Sequence, residues 1–112
     1  MPDKPLLWAG PALDDLRAFP VAARQLAGYQ LSRVQAGLMP DDWKPMTSVG
    51  AGVMEIRLHT GTEHRIFYLA KFEEGIYVLH AFEKRTRQTR VVDIEVARKR
   101  LAEILQQRRR RR

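Results

Sequence analysis

Residues 55–90 read EIRLHTGTEHRIFYLAKFEEGIYVLHAFEKRTRQTR, and the punctuation of this stretch decides the fold. From Val53 to His59 apolar and polar side chains alternate. Met54, Ile56 and Leu58 point one way, and Val53, Glu55, Arg57 and His59 the other, as on a strand. Thr60-Gly61-Thr62 is a turn signal, residues 64–71 form a second strand, and Glu73-Glu74-Gly75 turns the chain again. Residues 76–82 are the most apolar run and belong at the sheet centre. Strands that follow one another through short turns pair as an antiparallel meander. Arg57 and Arg65 lie on these strands, and Lys84, Arg85, Arg87 and Arg90 crowd the turn after the last one. A strand face carrying guanidinium groups, with a cationic cluster at its end, suits phosphate oxygens.

Outward from the meander the chain reads as helical. Residues 6–9 are a short edge strand. Pro11 suits a helix start, where its missing N–H costs nothing, and Leu13 and Leu16 share a face of that short helix. Phe19-Pro20 ends it. A second helix over 21–35 carries the stripe Ala23, Leu26, Ala27, Leu31 and Val34, with Gly37 as its C-terminal stop. The two helices form a hairpin that braces the sheet. Residues 37–52 read as irregular. Trp43 within them is read as core or a lid over the sheet edge, with a base-stacking platform as the alternative. Asp93 reads as the cap of a last helix over 94–107, whose stripe is Ile94, Ala97, Leu101, Ile104 and Leu105. Residues 1–107 are thus one α+β domain, and 108–112 a disordered arginine tail.

Composition narrows the function classes. Without cysteine, disulfides and thiolate metal sites are excluded. No apolar run approaches the roughly 18–20 residues of a membrane span, and the N-terminus lacks a signal-peptide plan. A cytoplasmic protein is expected. Residues 1–83 hold 8 basic and 10 acidic side chains, whereas 84–112 hold 12 basic and 3 acidic. That asymmetry points to a polyanionic partner, nucleic acid before membrane.

No phosphate-binding glycine loop, HExxH or nucleophile triad is present, and His59, His64 and His80 lack metal-ligand spacing. No metal or cofactor is expected. An arginine-lined sheet can hold a phosphodiester and stabilise the charge that grows on it during cleavage. RNA brings its own 2′-hydroxyl nucleophile, so proton transfer and charge stabilisation suffice. Arginine is a poor base because its pKa stays above about 12. Arg57 and Arg65 are therefore read as electrostatic stabilisers, and Glu55, His59 or His80 as the proton carrier; the alternative is a surface of paired charges, Glu55 with Arg57 and Glu63 with Arg65. His80 has a plainer reading as a hydrogen-bonded sheet histidine. Tyr68 alternates away from Arg65 and is read as core.

Five segments together, PDDWKPM (40–46), VGAGVMEIRL (49–58), HRIFYLAKF (64–72), YVLHAFEKRTRQT (77–89) and DIEVARKRL (93–101), resemble the phage-derived, HigB-type branch of the RelE/ParE superfamily of bacterial toxins. The resemblance spans residues 13 to 105. It implies a twisted antiparallel sheet braced by an N-terminal helical hairpin. It also implies a toxin of a type II toxin–antitoxin system, an mRNA endonuclease that hydrolyses ribosome-bound message and inhibits translation. The implied partner is a small antitoxin, often a helix-turn-helix HigA-type protein. By this resemblance Arg57 stands where RelE-like enzymes place a catalytic lysine. Arg65 stands on the arginine that holds the scissile phosphate, and Arg85 on the second phosphate arginine, with Lys84 beside it. Arg87 and Arg90, read from the cationic turn and not from the resemblance, are expected to add RNA contacts. Two positions depart from RelE itself. Glu55 replaces a lysine, as is common in the HigB-type branch, and Val91 or Val92 stands where a tyrosine would be. Two other classes share the scaffold: a nucleic-acid-binding module that does not cut, and a ParE-like poison of DNA gyrase.

Overall fold

The computed structural model describes residues 3–111. Five strands form one sheet in the order β1-β5-β4-β3-β2. They are β1 (Leu6–Trp8), β2 (Trp43–Pro45), β3 (Val53–His59), β4 (Glu63–Leu69) and β5 (Ile76–Glu83). Three helices accompany them, α1 (Ala12–Arg17), α2 (Val21–Gln35) and α3 (Val91–Arg110). The expected meander β3-β4-β5 is antiparallel throughout. The sheet departs from a purely antiparallel plan at β1, which pairs with β5 in parallel, Leu6 opposite Ile76 and Trp8 opposite Val78. Long helical connections between those two strands make the parallel pairing possible. A further strand, β2, lies inside the stretch read as irregular and pairs antiparallel to β3. Trp43 begins it and stays 38% exposed at the sheet edge, outside both core clusters.

Alternation sends the two strand faces into two cores. On one face Ile56, Leu58, Ile66, Tyr68, Ile76 and Val78 meet Ala12, Leu16, Ala23, Ala27, Leu31 and Val34 of the helical hairpin. Tyr68 is core, as its alternation requires, and burial pushes its phenol up to about 12. α2 ends in a Schellman motif. Leu38 N–H donates to Arg33 O at 2.9 Å and Gly37 N–H to Val34 O at 3.0 Å. Gly37 supplies the required left-handed backbone, φ 84°.

The opposite face carries Val53, Phe67, Leu69, Leu79 and Phe82 against Ala97, Leu101 and Ile104 of α3. A bulge in β5 adjusts this face. The register runs from Phe67 opposite His80 to Tyr68 opposite Val78, leaving Leu79 extra. Leu79 enters the α3 core, and His80 Nε2 lies 2.8 Å from Asp93 Oδ1. α3 begins at Val91, with Arg90 as its N-cap and no side chain capping it. Asp93 is therefore not the cap. Its carboxylate is drawn instead to His80 and to Arg90 Nε at 3.3 Å. We expect Asp93→Ala to cost about 1–3 kcal/mol in urea unfolding, because a buried polar ring loses its partner. Unchanged stability would show the bond to be dispensable.

α3 also runs past its expected end, through Arg110, so residues 108–110 are helical rather than a disordered tail. Arg112 lies outside the described residues. The Arg108 guanidinium stacks 3.5 Å from the Phe72 ring centroid and pairs with Glu74. Glu74 also accepts the Tyr77 hydroxyl at 2.7 Å. Arg108 and then Tyr77 hold the Glu74 carboxyl down at about 2. None of the described helices is long and apolar enough to cross a membrane.

Candidate anion-binding site

The polar end of the α3-facing sheet surface gathers charge from three strands and from the turn after β5. Register sets Arg57 directly opposite Arg65. Glu55 lies two residues back along β3 on the same face, and β2 sets Lys44 opposite it. The Lys84 N–H donates to Glu63 O at 2.7 Å, carrying the chain past the end of β5 alongside β4. Four cations thus surround one carboxylate.

That carboxylate organises the group. Glu55 is fully buried. Its Oε1 accepts a hydrogen bond from Arg57 Nε at 3.2 Å and lies 3.9 Å from Arg65 Nε. Glu55 Oε2 and Arg65 Nε are buried with no hydrogen-bond partner. Arg65 is only 6% exposed. It donates from Nη1 to His64 O at 3.0 Å and to Glu63 Oε1 at 3.1 Å. Buried Glu55 and the more exposed Glu63, which also binds His59, do not neutralise four cations, and the excess positive potential in a partly desolvated setting attracts anions. Lys84 registers that potential. Burial, then Arg65, then Lys44 and Arg57 push its ammonium below the usual lysine range, with Glu55 opposing.

The surrounding residues divide. Lys84 and Arg85 line a cleft of about 330 Å³ with Phe82, Gln88, Arg90 and Asp93, between the end of β5 and the start of α3. Arg85 is a rim residue, largely exposed and bound to Glu83 at 2.7 Å. Arg87 is exposed on the same loop, and Arg90 is held by Asp93. His80 stands apart from the cation cluster. Its ring stacks on Phe82 at 4.9 Å, and its nitrogens face Asp93 and, at 3.4 Å, Arg100 Nη1. His59 shares the Arg57 face, but both its nitrogens are engaged, Nε2 2.6 Å from Asp42 and Nδ1 2.8 Å from Glu63.

The bonds to Asp42 and then Glu63 raise the His59 pKa above its ordinary 6.5. A raised folded-state pKa adds stability that is present below the unfolded value and lost as pH rises through the folded one. The ring is half exposed, so the energy is small, but its titration is readable. We expect the NMR midpoint of His59 above 6.5, falling in Asp42→Asn. A wild-type midpoint at or below 6.5 would contradict the geometry.

The alternation in the sequence brings Glu55, Arg57 and His59 to one face of β3; the register sets Arg65 beside them, leaves Arg85 at the rim, and adds Lys44, which the sequence reading overlooks. Its strand is three residues long and ends in a proline, too short for alternation to register. The tyrosine absent near the start of α3 is not replaced from elsewhere. Tyr68 is core, Tyr77 is bound to Glu74, and Tyr29 is exposed on α2. Among the described residues, no three His, Asp or Glu side chains are placed to hold a metal ion.

A family model described as Phage derived protein Gp49-like (DUF891) matches residues 14–102, which include every strand from β2 to β5 and the whole cation cluster. No curated protein matches the chain.

Proposed function

The chain belongs to the phage-derived Gp49-like family, and from that premise we propose that it is the toxin of a type II toxin–antitoxin pair, an endonuclease that cuts messenger RNA on the ribosome. The observation that supports this reading is the apposition of Arg57 and Arg65 across a buried carboxylate. Two guanidiniums held side by side can grip the non-bridging oxygens of one phosphodiester. As the 2′-oxygen attacks phosphorus, negative charge grows on those oxygens, and donors already in place stabilise it without reorganising. The products are a 2′,3′-cyclic phosphate and a 5′-hydroxyl end. Glu55 is fully buried and holds the guanidiniums in position. Arg85, Arg87 and Arg90 extend the cationic surface along the message. A small helix-turn-helix antitoxin is the expected partner.

The test is in-vitro translation with the purified protein, mapping message 5′ ends by primer extension with and without ribosomes. New 5′ ends that require ribosomes are expected. Intact message with translation continuing would refute the reading and direct attention to gyrase supercoiling.

A further inference from the structure

Cleavage of RNA needs a proton for the departing 5′-oxygen, and the groups first read as proton carriers are committed elsewhere. Glu55 is sealed beneath the arginines. His59 is clasped by two carboxylates, and His80 is packed on Phe82 and tied to Asp93. No tyrosine reaches the cationic face. Guanidiniums hold their protons too tightly to give them up. Arg57, Arg65, Arg85 and Arg90 each hold a carboxylate. Of the two lysines in the cluster, Lys84 makes no side-chain hydrogen bond to one and feels its neighbours only through space, and Lys44 is not among the residues that line the cleft. Lys84 does line the cleft at the end of β5, and its backbone N–H bonds Glu63 O at 2.7 Å, two residues from Arg65 along β4.

We propose that Lys84 is the general acid of the cleavage reaction, giving a proton from Nζ to the 5′-oxygen as the P–O5′ bond breaks. This rests on the endonuclease reading. The 2′-oxygen forms its bond to phosphorus, its proton leaves to solvent, and the P–O5′ electron pair takes up the Lys84 proton. Neutral Lys84 then regains a proton from water. The charged groups that face Lys84 favour this exchange. Arg65 on β4, Arg57 on β3 and Lys44 on β2 push the proton off, and buried Glu55 retains it. Glu83, Arg85, Arg90 and Asp93 surround the cleft but are largely paired among themselves. A lysine crowded by cations is a better donor at neutral pH than an isolated one.

The experiment uses ribosomes programmed with a message that carries, at the cleaved linkage, either the ordinary 5′-oxygen or a 5′-bridging sulfur. Sulfur leaves without protonation. Lys84→Arg keeps the charge that binds phosphate but withholds the proton. It is expected to lower cleavage of the ordinary linkage by about 10²–10⁴-fold, the usual range for a general acid, and to cut the sulfur linkage at nearly the wild-type rate. Equal losses on both linkages would make Lys84 a binding or structural residue and overturn the proposal, as would no loss on either. Lys44→Met gives an independent readout. Removing a neighbouring positive charge raises the Lys84 pKa, so the alkaline limb of the pH–rate profile should move to higher pH. An unmoved limb would count against Lys84. If wild-type protein cuts neither linkage, the endonuclease reading fails and the proposal with it, an outcome distinct from selective failure of the variant.

Discussion

Arg65→Ala is expected to abolish message cleavage and to destabilise the fold. Losing one donor aimed at developing charge costs about 10²–10³-fold in rate. Arg65 does more than donate, because it is 6% exposed and shares Glu55 with Arg57. Breaking a buried charge pair by removing one partner costs about 3–5 kcal/mol. The two losses separate by substitution. Arg65→Lys retains a cation against Glu55 but cannot make a planar, two-point contact with phosphate. It should recover most of the stability and little of the cleavage. Urea unfolding measures the first quantity, and single-turnover primer extension on ribosome-bound message the second. An Arg65→Ala protein that cuts within about 3-fold of wild type would remove Arg65 from the site, because a phosphate-holding donor is worth at least about tenfold more than that.

Much of the site was legible because β3, β4 and β5 alternate. Period-two patterning fixes which side chains share a face, and short turns fix which strands are neighbours. Glu55, Arg57 and His59 could therefore be grouped on β3 from the letters alone, whereas the place of Arg65 opposite Arg57 waits on the strand register. Where local pattern competes with a distant partner, the reading failed. Asp93 has the chemistry of a cap, yet His80, 13 residues away on β5, takes its carboxylate. The arginines after Gln107 look like a solvated run, yet arginine is a good helix former and Arg108 finds Phe72 and Glu74. Lys44 was invisible because a three-residue strand has no period to detect. The commitment of both His59 nitrogens to Asp42 and Glu63 depends on a loop anchored by Gln30, whose amide bonds the Asp41 carboxylate at 2.7 Å and whose Oε1 accepts the Asp41 N–H at 2.9 Å. Hydrophobic patterning does not encode such a link.

Glu55→Gln separates the two roles open to this carboxylate. A general base that is neutralised loses cleavage and leaves the fold intact. A buried counter-ion that is neutralised leaves Arg57 and Arg65 facing each other with no negative charge between them. The structure favours the second outcome, since Glu55 is wholly inaccessible and its Oε1 serves both guanidiniums. The expected loss is about 3–5 kcal/mol. For a domain of this size that is roughly 10–20 °C in Tm, at about 4 °C per kcal/mol. Sulfate supplies a second readout. An anion that binds only the folded state stabilises it, the more so the tighter it binds, and removing the internal carboxylate strengthens the field at the cluster. Sulfate should therefore raise the Tm of Glu55→Gln more than that of wild type. A variant with wild-type Tm, no added response to sulfate and no cleavage would instead make Glu55 the base. Glu55 would then have to become accessible when RNA binds, because a base must reach within about 3 Å of the 2′-hydroxyl proton it removes.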